Sequence, residues 1–471
     1  MQRKALLLLI LVLALVLRLY PLEQWHEWDE SVYLMHAEHM VGGKTNYNEF
    51  FYRPPILPII IAAGFLIWHH VFMASIVVAL ATSAVALGMY LVGARLHSEE
   101  AGLFAALIVT VQPLFVRFGH MLFTDALVAT FFTFAVWCAL HPGWRWAAAA
   151  GALTGVAALT KFSALATIPF VGLLVVLLAL PSLDRKGLRR WKMAALSMVA
   201  YTAGAAAALL PYMAWAYARL GSAVAPFRTS STMIGWHEQS ALFYLNAQLF
   251  TVPILIGIAL LALRWKDWRN DRQLRVTIIV LTLFAVSTLI YLSTFGYKHS
   301  RYGILSIAPL VLFAGIGYAA AHNAWRKRVW GTRFWVPFIV IILLFSAPAF
   351  HTLAGPPIGT EKHHAISMAE RLVEHGRPDL TIYAASEYPF YAYYTNNTVV
   401  AVDMGDFIAR YPEFMPEDGY LVVLKDPPQQ PTTDWADSRP ELTRLFENDY
   451  SIIYLYDNKL YEIIIAQYPE R

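Results

Sequence analysis

Long apolar runs alternate with short polar connections along most of this chain. The runs fall at about residues 4–20, 71–94, 101–118, 121–140, 145–160, 162–180, 192–217, 242–263, 275–295, 302–321 and 333–350. Roughly 20 apolar residues in a helix cross a ~30 Å hydrocarbon layer, and the shorter runs need local thinning or helical partners. The pattern predicts a polytopic α-helical membrane protein with about eleven transmembrane helices. The segment 54–68 is also apolar, but it opens with Pro54-Pro55, carries Pro58 and ends at Trp68-His69-His70. After residue 350 the periodicity changes. Helical spacing from His363 to His375 stops at Gly376, and strands are expected at Leu380–Ala384, Tyr420–Leu424, Ser451–Tyr456 and Leu460–Ala466, with Asp457-Asn458 as a hairpin turn. The expectation is a transmembrane domain over 1–350 and a C-terminal soluble α/β domain over 351–471.

Composition and charge sharpen that division. Of the 471 residues 58% are hydrophobic and 14% charged, against about 25% charged in soluble domains. From Glu361 onward 19 acidic residues face 9 basic ones, whereas the net charge of the whole chain is +4. The last quarter is therefore acidic, which argues against nucleic acid as a partner. Cys138 is the single cysteine and lies within an apolar run, so neither a disulfide framework nor a thiolate metal site is available.

Basic connections set the expected topology. Arg185–Lys192, Arg264–Arg275 and Arg326–Arg333 are the most basic and should be cytoplasmic. Gln2-Arg3-Lys4 followed by Ala5–Leu17 resembles a signal peptide, but Arg18-Leu19-Tyr20-Pro21 follows in place of a small-residue cleavage site. An uncleaved first span with a cytoplasmic N-terminus fits better. Parity then makes 21–53 an external loop and 54–70 re-entrant or interfacial, and it places Lys161 at an outer apex. The C-terminal domain becomes extracytoplasmic, in a multi-pass protein of the plasma membrane.

The unusual polar residues gather in the outer connections. Asp29 and Glu30 stand in Trp25-His26-Glu27-Trp28-Asp29-Glu30, just after the first span. Val32, Met35, His36, His39 and Met40 continue at helical spacing, so Asp29 could cap a short helix with Glu30 adding charge to its first turn. Asp125 lies between two apolar runs, where a carboxylate needs a partner or a wet cavity. An ion pair with Arg117, a helix cap or a functional role would each satisfy it. Lys161 could snorkel or could join Arg53, Lys298 and Arg301 as cations on the same side, with Tyr52, Tyr297 and Tyr302 beside them. Cations of this kind hold phosphate oxygens, and a carboxylate can take the proton of an acceptor hydroxyl. The geometry suits an inverting displacement on a lipid-phosphate sugar. Asp29, Glu30 and Asp125 could instead hold Mg²⁺ or Mn²⁺, and His26, His36, His39 and His120 keep zinc open. No cofactor is required by the pattern.

Five short motifs in order resemble the membrane-embedded glycosyltransferases of the GT-C fold, in the branch of the protein O-mannosyltransferases and lipid A aminoarabinose transferases. They are Trp28-Asp29-Glu30, Tyr52-Arg53-Pro54-Pro55, Asp125, Leu159-Thr160-Lys161 and Ser300-Arg301-Tyr302 with Pro309, and they run through about residue 320. The resemblance implies transfer of a sugar from a polyprenyl- or dolichyl-phosphate carrier to a protein, glycan or lipid acceptor on the outer face. It makes Asp29 the catalytic carboxylate with Glu30 beside it, Arg53 and Lys161 the carrier-phosphate cations, and Asp125 the second acidic position. Two positions depart. Arg53 replaces a lysine, and Tyr52 stands where the aminoarabinose branch has an acidic residue that helps bind zinc.

Two other functions fit the composition. An oligosaccharyltransferase would use the same fold, with a metal and a Trp-Trp-Asp type motif that this chain lacks. A lipid or solute transporter would line its path with the buried charges, but no internal repeat and a one-sided charge cluster speak against it.

Overall fold

The structure, a computed structural model, describes residues 2–19, 28–43, 53–119, 121–180, 188–232, 240, 242–245, 249–295, 298–326, 336, 339–344, 346, 369–370, 372–374, 378–379, 381–384, 388–401, 419–425, 451–458 and 461–467. The chain groups into two units. The first holds Met1–Leu22, Phe51–Gly64 and Trp68–Pro357, and the second holds Glu23–Phe50, Phe65–Ile67 and Ile358–Arg471.

The first unit is helical. Its elements are α1 (Gln2–Leu19), α3 (Ile56–Phe65), α4 (Val71–Leu96), α5 (Glu99–Val111), α6 (Pro113–Arg117), α7 (Thr124–Ala139), α8 (Trp144–Thr160), α9 (Thr167–Ala179), α10 (Leu188–Leu220), α11 (Ala225–Thr232), α12 (Val252–Leu263), α13 (Trp265–Trp268), α14 (Arg272–Ser293) and α15 (Ile304–Arg326). Among the described residues, five stretches are long and apolar enough to cross a bilayer: Val71–Leu96, Phe162–Ala179, Trp191–Leu220, Arg272–Ser293 and Ser300–Trp325. The chain is a multi-pass membrane protein. α3 has 10 residues, about 15 Å of helix or half the hydrocarbon thickness.

Helix ends are written into the polar connections. The Ser98 hydroxyl accepts the Ala101 N–H at 3.2 Å, and Glu99 and Glu100 occupy the first turn of α5. Pro113 lacks an amide hydrogen, so the expected run over 101–118 divides in two, with Gln112 Oε1 accepting the Phe115 N–H at 3.1 Å to start α6. Asp271 starts α14 in the same way, accepting from Leu274 at 3.0 Å. Arg3 ties α1 to the start of α5, its Nη1 lying 2.7 Å from Glu99 Oε2.

Close packing follows from small residues. α8 crosses α10, α4 crosses α5, and α15 lies against both α5 and α12. A Cβ on Gly155 of α8 would sit 2.7 Å from the Ala208 Cβ, and one on Gly315 of α15 would sit 2.7 Å from the Ala105 nitrogen. In lipid, where apolar side chains gain nothing by leaving water, such approaches supply dispersion contacts that hold helices together. Aromatic side chains fill the wider gaps, Phe132 of α7 stacking on Phe284 of α14 with centroids 4.7 Å apart.

Among the described residues the second unit holds α2 (Trp28–Met40), α16 (Tyr388–Tyr394) and five strands, β1 (Thr381–Ala384), β2 (Val399–Ala401), β3 (Gly419–Lys425), β4 (Ser451–Asn458) and β5 (Tyr461–Gln467). The sheet order is β2-β1-β3-β5-β4. β1 pairs parallel with β2 and β3, whereas β5 pairs antiparallel with β3 and β4. α2 packs on α16. The expected hairpin turn at Asp457-Asn458 is corrected: both residues remain in β4, opposite Glu462 and Tyr461. Of the expected helix His363–His375, residues 363–368, 371 and 375 lie outside the described residues, and 369–370 and 372–374 are helical.

Candidate functional site

In the helical unit the outlying charges converge at one end of the bundle. Asp125 sits in the first turn of α7, where its carboxylate meets the helix's positive end. Phe123 is the N-cap, so Asp125 does not cap the helix. Its side chain is 6% exposed, and Oδ1 lies 2.5 Å from Lys161 Nζ. Lys161 follows the last residue of α8 in extended backbone, which turns its side chain off the helix axis. The ion pair of Asp125 is thus with Lys161, not with the Arg117 that sequence proximity suggests.

A short 3-10 turn, Ser300–Gly303, brings a second cation to the same place. The buried Arg301 guanidinium lies 4.0 Å above the Phe123 ring and 5.4 Å from that of Tyr302. Lys161 Nζ is 4.3 Å from the same Tyr302 ring. Tyr302 therefore stands between two cations, both held over aromatic faces. The buried Lys298 donates to the Phe295 carbonyl.

His299 completes the cluster. Its Nδ1 accepts the Arg301 N–H at 3.2 Å, and its ring meets Phe118 edge-on at 5.5 Å. Burial lowers its pKa to about 4, with Arg301, Arg117 and Lys161 adding to the fall and Asp125 opposing it. The imidazole is neutral at pH 7, so the permanent charges there are Asp125 and the surrounding cations.

The connection at Gly119 is held from α4 and passes close to Arg18. Thr82 of α4 donates to the Gly119 carbonyl. Arg18, buried near the end of α1, donates through Nη1 to Ala14 O at 2.9 Å. A Cβ on Gly119 would meet the Phe115 carbonyl oxygen, which as backbone cannot swing aside, and would come 2.7 Å from Arg18 Nε, so glycine is needed there. Sequence reasoning missed both Arg18 and His299. A lone arginine at the end of an apolar run was the available signal for the first. Nothing local marked the second.

The other predicted residues are distributed as follows. Asp29 and Glu30 occupy the first turn of α2 in the second unit, with Glu30 buried. Burial raises the Tyr394 phenol, and the negative charge of Glu30 raises it further; Tyr393 is raised by burial, then by Tyr394 and Glu38. Arg53 precedes Pro54 in the helical unit, whereas Tyr52, Tyr297, His26 and His120 lie outside the described residues. No group of three His, Cys, Asp or Glu side chains converges among the described residues.

Residues 52–215 match the family described as dolichyl-phosphate-mannose-protein mannosyltransferase. No curated protein matches the sequence. Solved structures do. ArnT from Cupriavidus metallidurans, bound to undecaprenyl phosphate, superposes with a TM-score of 0.67 at 14% identity, covering 97% of each chain. The archaeal oligosaccharyltransferase AglB from Archaeoglobus fulgidus, in complex with an inhibitory peptide and a dolichol-phosphate, gives 0.58 at 14% identity over 98% of this chain and 74% of that one. Arabinofuranosyltransferase AftD from Mycobacteria gives 0.59 at 13% identity over 99% of this chain and 40% of that one. This chain has the GT-C fold of these structures, and its residues 52–215 resemble the protein-mannosyltransferase family.

Proposed function

We propose that this protein moves a sugar from a polyprenyl- or dolichyl-phosphate carrier to an acceptor on the outer face of the plasma membrane, with inversion at the anomeric carbon. The observation that carries the reading is the buried Asp125–Lys161 pair with Tyr302 and Arg301 around it. A phosphate monoester leaving group carries up to two negative charges, and rigid cations over aromatic faces stabilise it without rearranging during reaction. ArnT bound to undecaprenyl phosphate, and AglB in complex with a dolichol-phosphate, have carriers of this class on the same fold.

In this reading Lys161, Arg301, Lys298 and Arg53 serve the carrier phosphate, with Tyr52 and Tyr302 donating hydroxyls. Asp125 holds the Lys161 ammonium in place through their ion pair. Asp29 takes the proton from the acceptor nucleophile as it attacks the anomeric carbon, and Glu30 supports it. The carrier phosphate leaves from the opposite face and needs little proton donation, so one base suffices. The acidic C-terminal α/β domain over 351–471 contacts the acceptor. Mg²⁺ or Mn²⁺, if bound through Asp29 or Asp125, would add positive charge to the same leaving group.

Asp29→Asn tests the base. The variant should fold and bind carrier lipid as the wild type does, while single-turnover sugar transfer falls by at least about a hundredfold, the usual contribution of a positioned base. Transfer at the wild-type rate would remove Asp29 from the chemistry. It would leave the carrier-binding cations to be judged separately by lipid affinity.

A further inference from the structure

The opposite end of the helical unit carries a cavity. α7 has 16 residues, about 24 Å of helix, and leads away from Asp125 in its first turn. There its end meets the start of α8 and the ends of α4 and α9. A cavity of about 450 Å³ opens between them, lined by Arg95, His141, Arg272 and Gln273 over an apolar wall that includes Val175 and Leu178. Among the described residues the lining contains two arginines and a histidine and no carboxylate.

Its polar groups are held in place. Arg272 Nη2 donates to Leu177 O at 2.7 Å, and Gln273 Nε2 donates to Leu140 O at 3.1 Å. The His141 ring nitrogen is 2.9 Å from Trp137 O, and the ring stacks on Trp146 with centroids 4.6 Å apart. Arg272 carries five N–H donors and spends one on Leu177, so most of its fork remains for a ligand. Gly143, at the start of α8, and Arg272 and Gln273, at the start of α14, also line the cavity. The positive end of α8 therefore adds to the arginines, whereas Asp271 caps that of α14.

We propose that this cavity binds the phosphate headgroup of an anionic membrane lipid. Arg95 and Arg272 hold the phosphate oxygens, and the wall formed by Val175, Leu178 and Met193 receives the first part of the acyl chains. A phosphate with an apolar tail matches both surfaces, whereas free inorganic phosphate would leave the wall and most of the volume unused. Basic pockets between transmembrane helices recognise lipid headgroups by this combination. The proposal stands on the cavity alone and does not depend on the sugar-transfer reading.

Native mass spectrometry of the full chain in detergent tests it, with phosphatidylglycerol and phosphatidylcholine offered in equal amounts. The wild type should retain phosphatidylglycerol with about a tenfold preference, and an Arg95→Gln/Arg272→Gln variant should lose that preference. Equal preference in wild type and variant overturns the proposal. Inorganic phosphate is the second probe. Thermal protection by phosphate, without any preference for phosphatidylglycerol, would overturn the lipid assignment in favour of a free anion. Should the glutamine variant fail to fold, Arg95→Lys/Arg272→Lys keeps the charge but not the fork. It should lower the preference by severalfold, and an unchanged preference in that variant also counts against the site.

Discussion

The Asp125–Lys161 pair shows how a residue conspicuous in sequence acquires its meaning from another helix. Each charge stands out because it interrupts an apolar run, and that much was legible. Their pairing was not, since Lys161 is 36 positions away and the nearer cation is Arg117. The structure joins them because α7 and α8 are antiparallel neighbours, which brings the start of one beside the end of the other. The Asp125 side chain is 6% exposed and that of Lys161 25%. Breaking such a pair strands a buried charge and costs about 3 kcal/mol, whereas removing both partners is far milder. Lys161→Met should therefore lower the melting temperature in detergent markedly, and Asp125→Asn/Lys161→Met should recover most of it. Affinity for carrier lipid should stay low in both variants. A double variant that melts as low as the single one would show that the pair has no special coupling. His299 marks the limit of reading at this scale: burial keeps it neutral, helped by Arg301, Arg117 and Lys161 against the pull of Asp125, and apart from Arg301 these residues are distant in sequence.

Elements were legible where hydrophobicity alone decides, as in α4, α14 and α15, whose apolar runs exceed a bilayer's thickness. They were less so where one residue redirects the backbone. Pro113 divides the 101–118 run, and Lys161 gives way to the 3-10 turn Phe162–Ala166 before α9 resumes. β2 escaped notice because Val399–Ala401 is only 3 residues long and is defined by parallel pairing with β1. How closely helices approach is set by glycine, and here the sequence says little without the partner. A Cβ on Gly151 of α8 would collide with the Tyr201 carbonyl of α10, and one on Gly204 with the Ala148 carbonyl. Backbone atoms cannot swing aside as side chains do. Gly151→Ala should separate the two helices and cost about 1–3 kcal/mol, seen as a lower melting temperature in detergent. An unchanged melt would mean that α8 and α10 do not cross at this point.

At the scale of the whole molecule, function depends on which end of the bundle faces the cytoplasm. One end holds Asp125, Lys161, Arg301 and Tyr302, and the other holds Arg95, Arg272 and the Arg3–Glu99 pair. Positively charged connections stay cytoplasmic during insertion, and the connection around Arg264–Arg275 is among the most basic in the sequence. That rule puts Asn270 inside. Ser222, which follows α10 at its far end, then falls outside, on the side of Lys161. Single cysteines separate the two faces, because Cys138 is buried and can be replaced by serine beforehand. On intact cells a membrane-impermeant maleimide should label Ser222→Cys. Asn270→Cys should react only after the membrane is opened, and a permeant reagent should label both. The reverse pattern would turn the whole bundle over. It would place Lys161 and Arg301 on the cytoplasmic side, and carrier lipid would then have to present its sugar there.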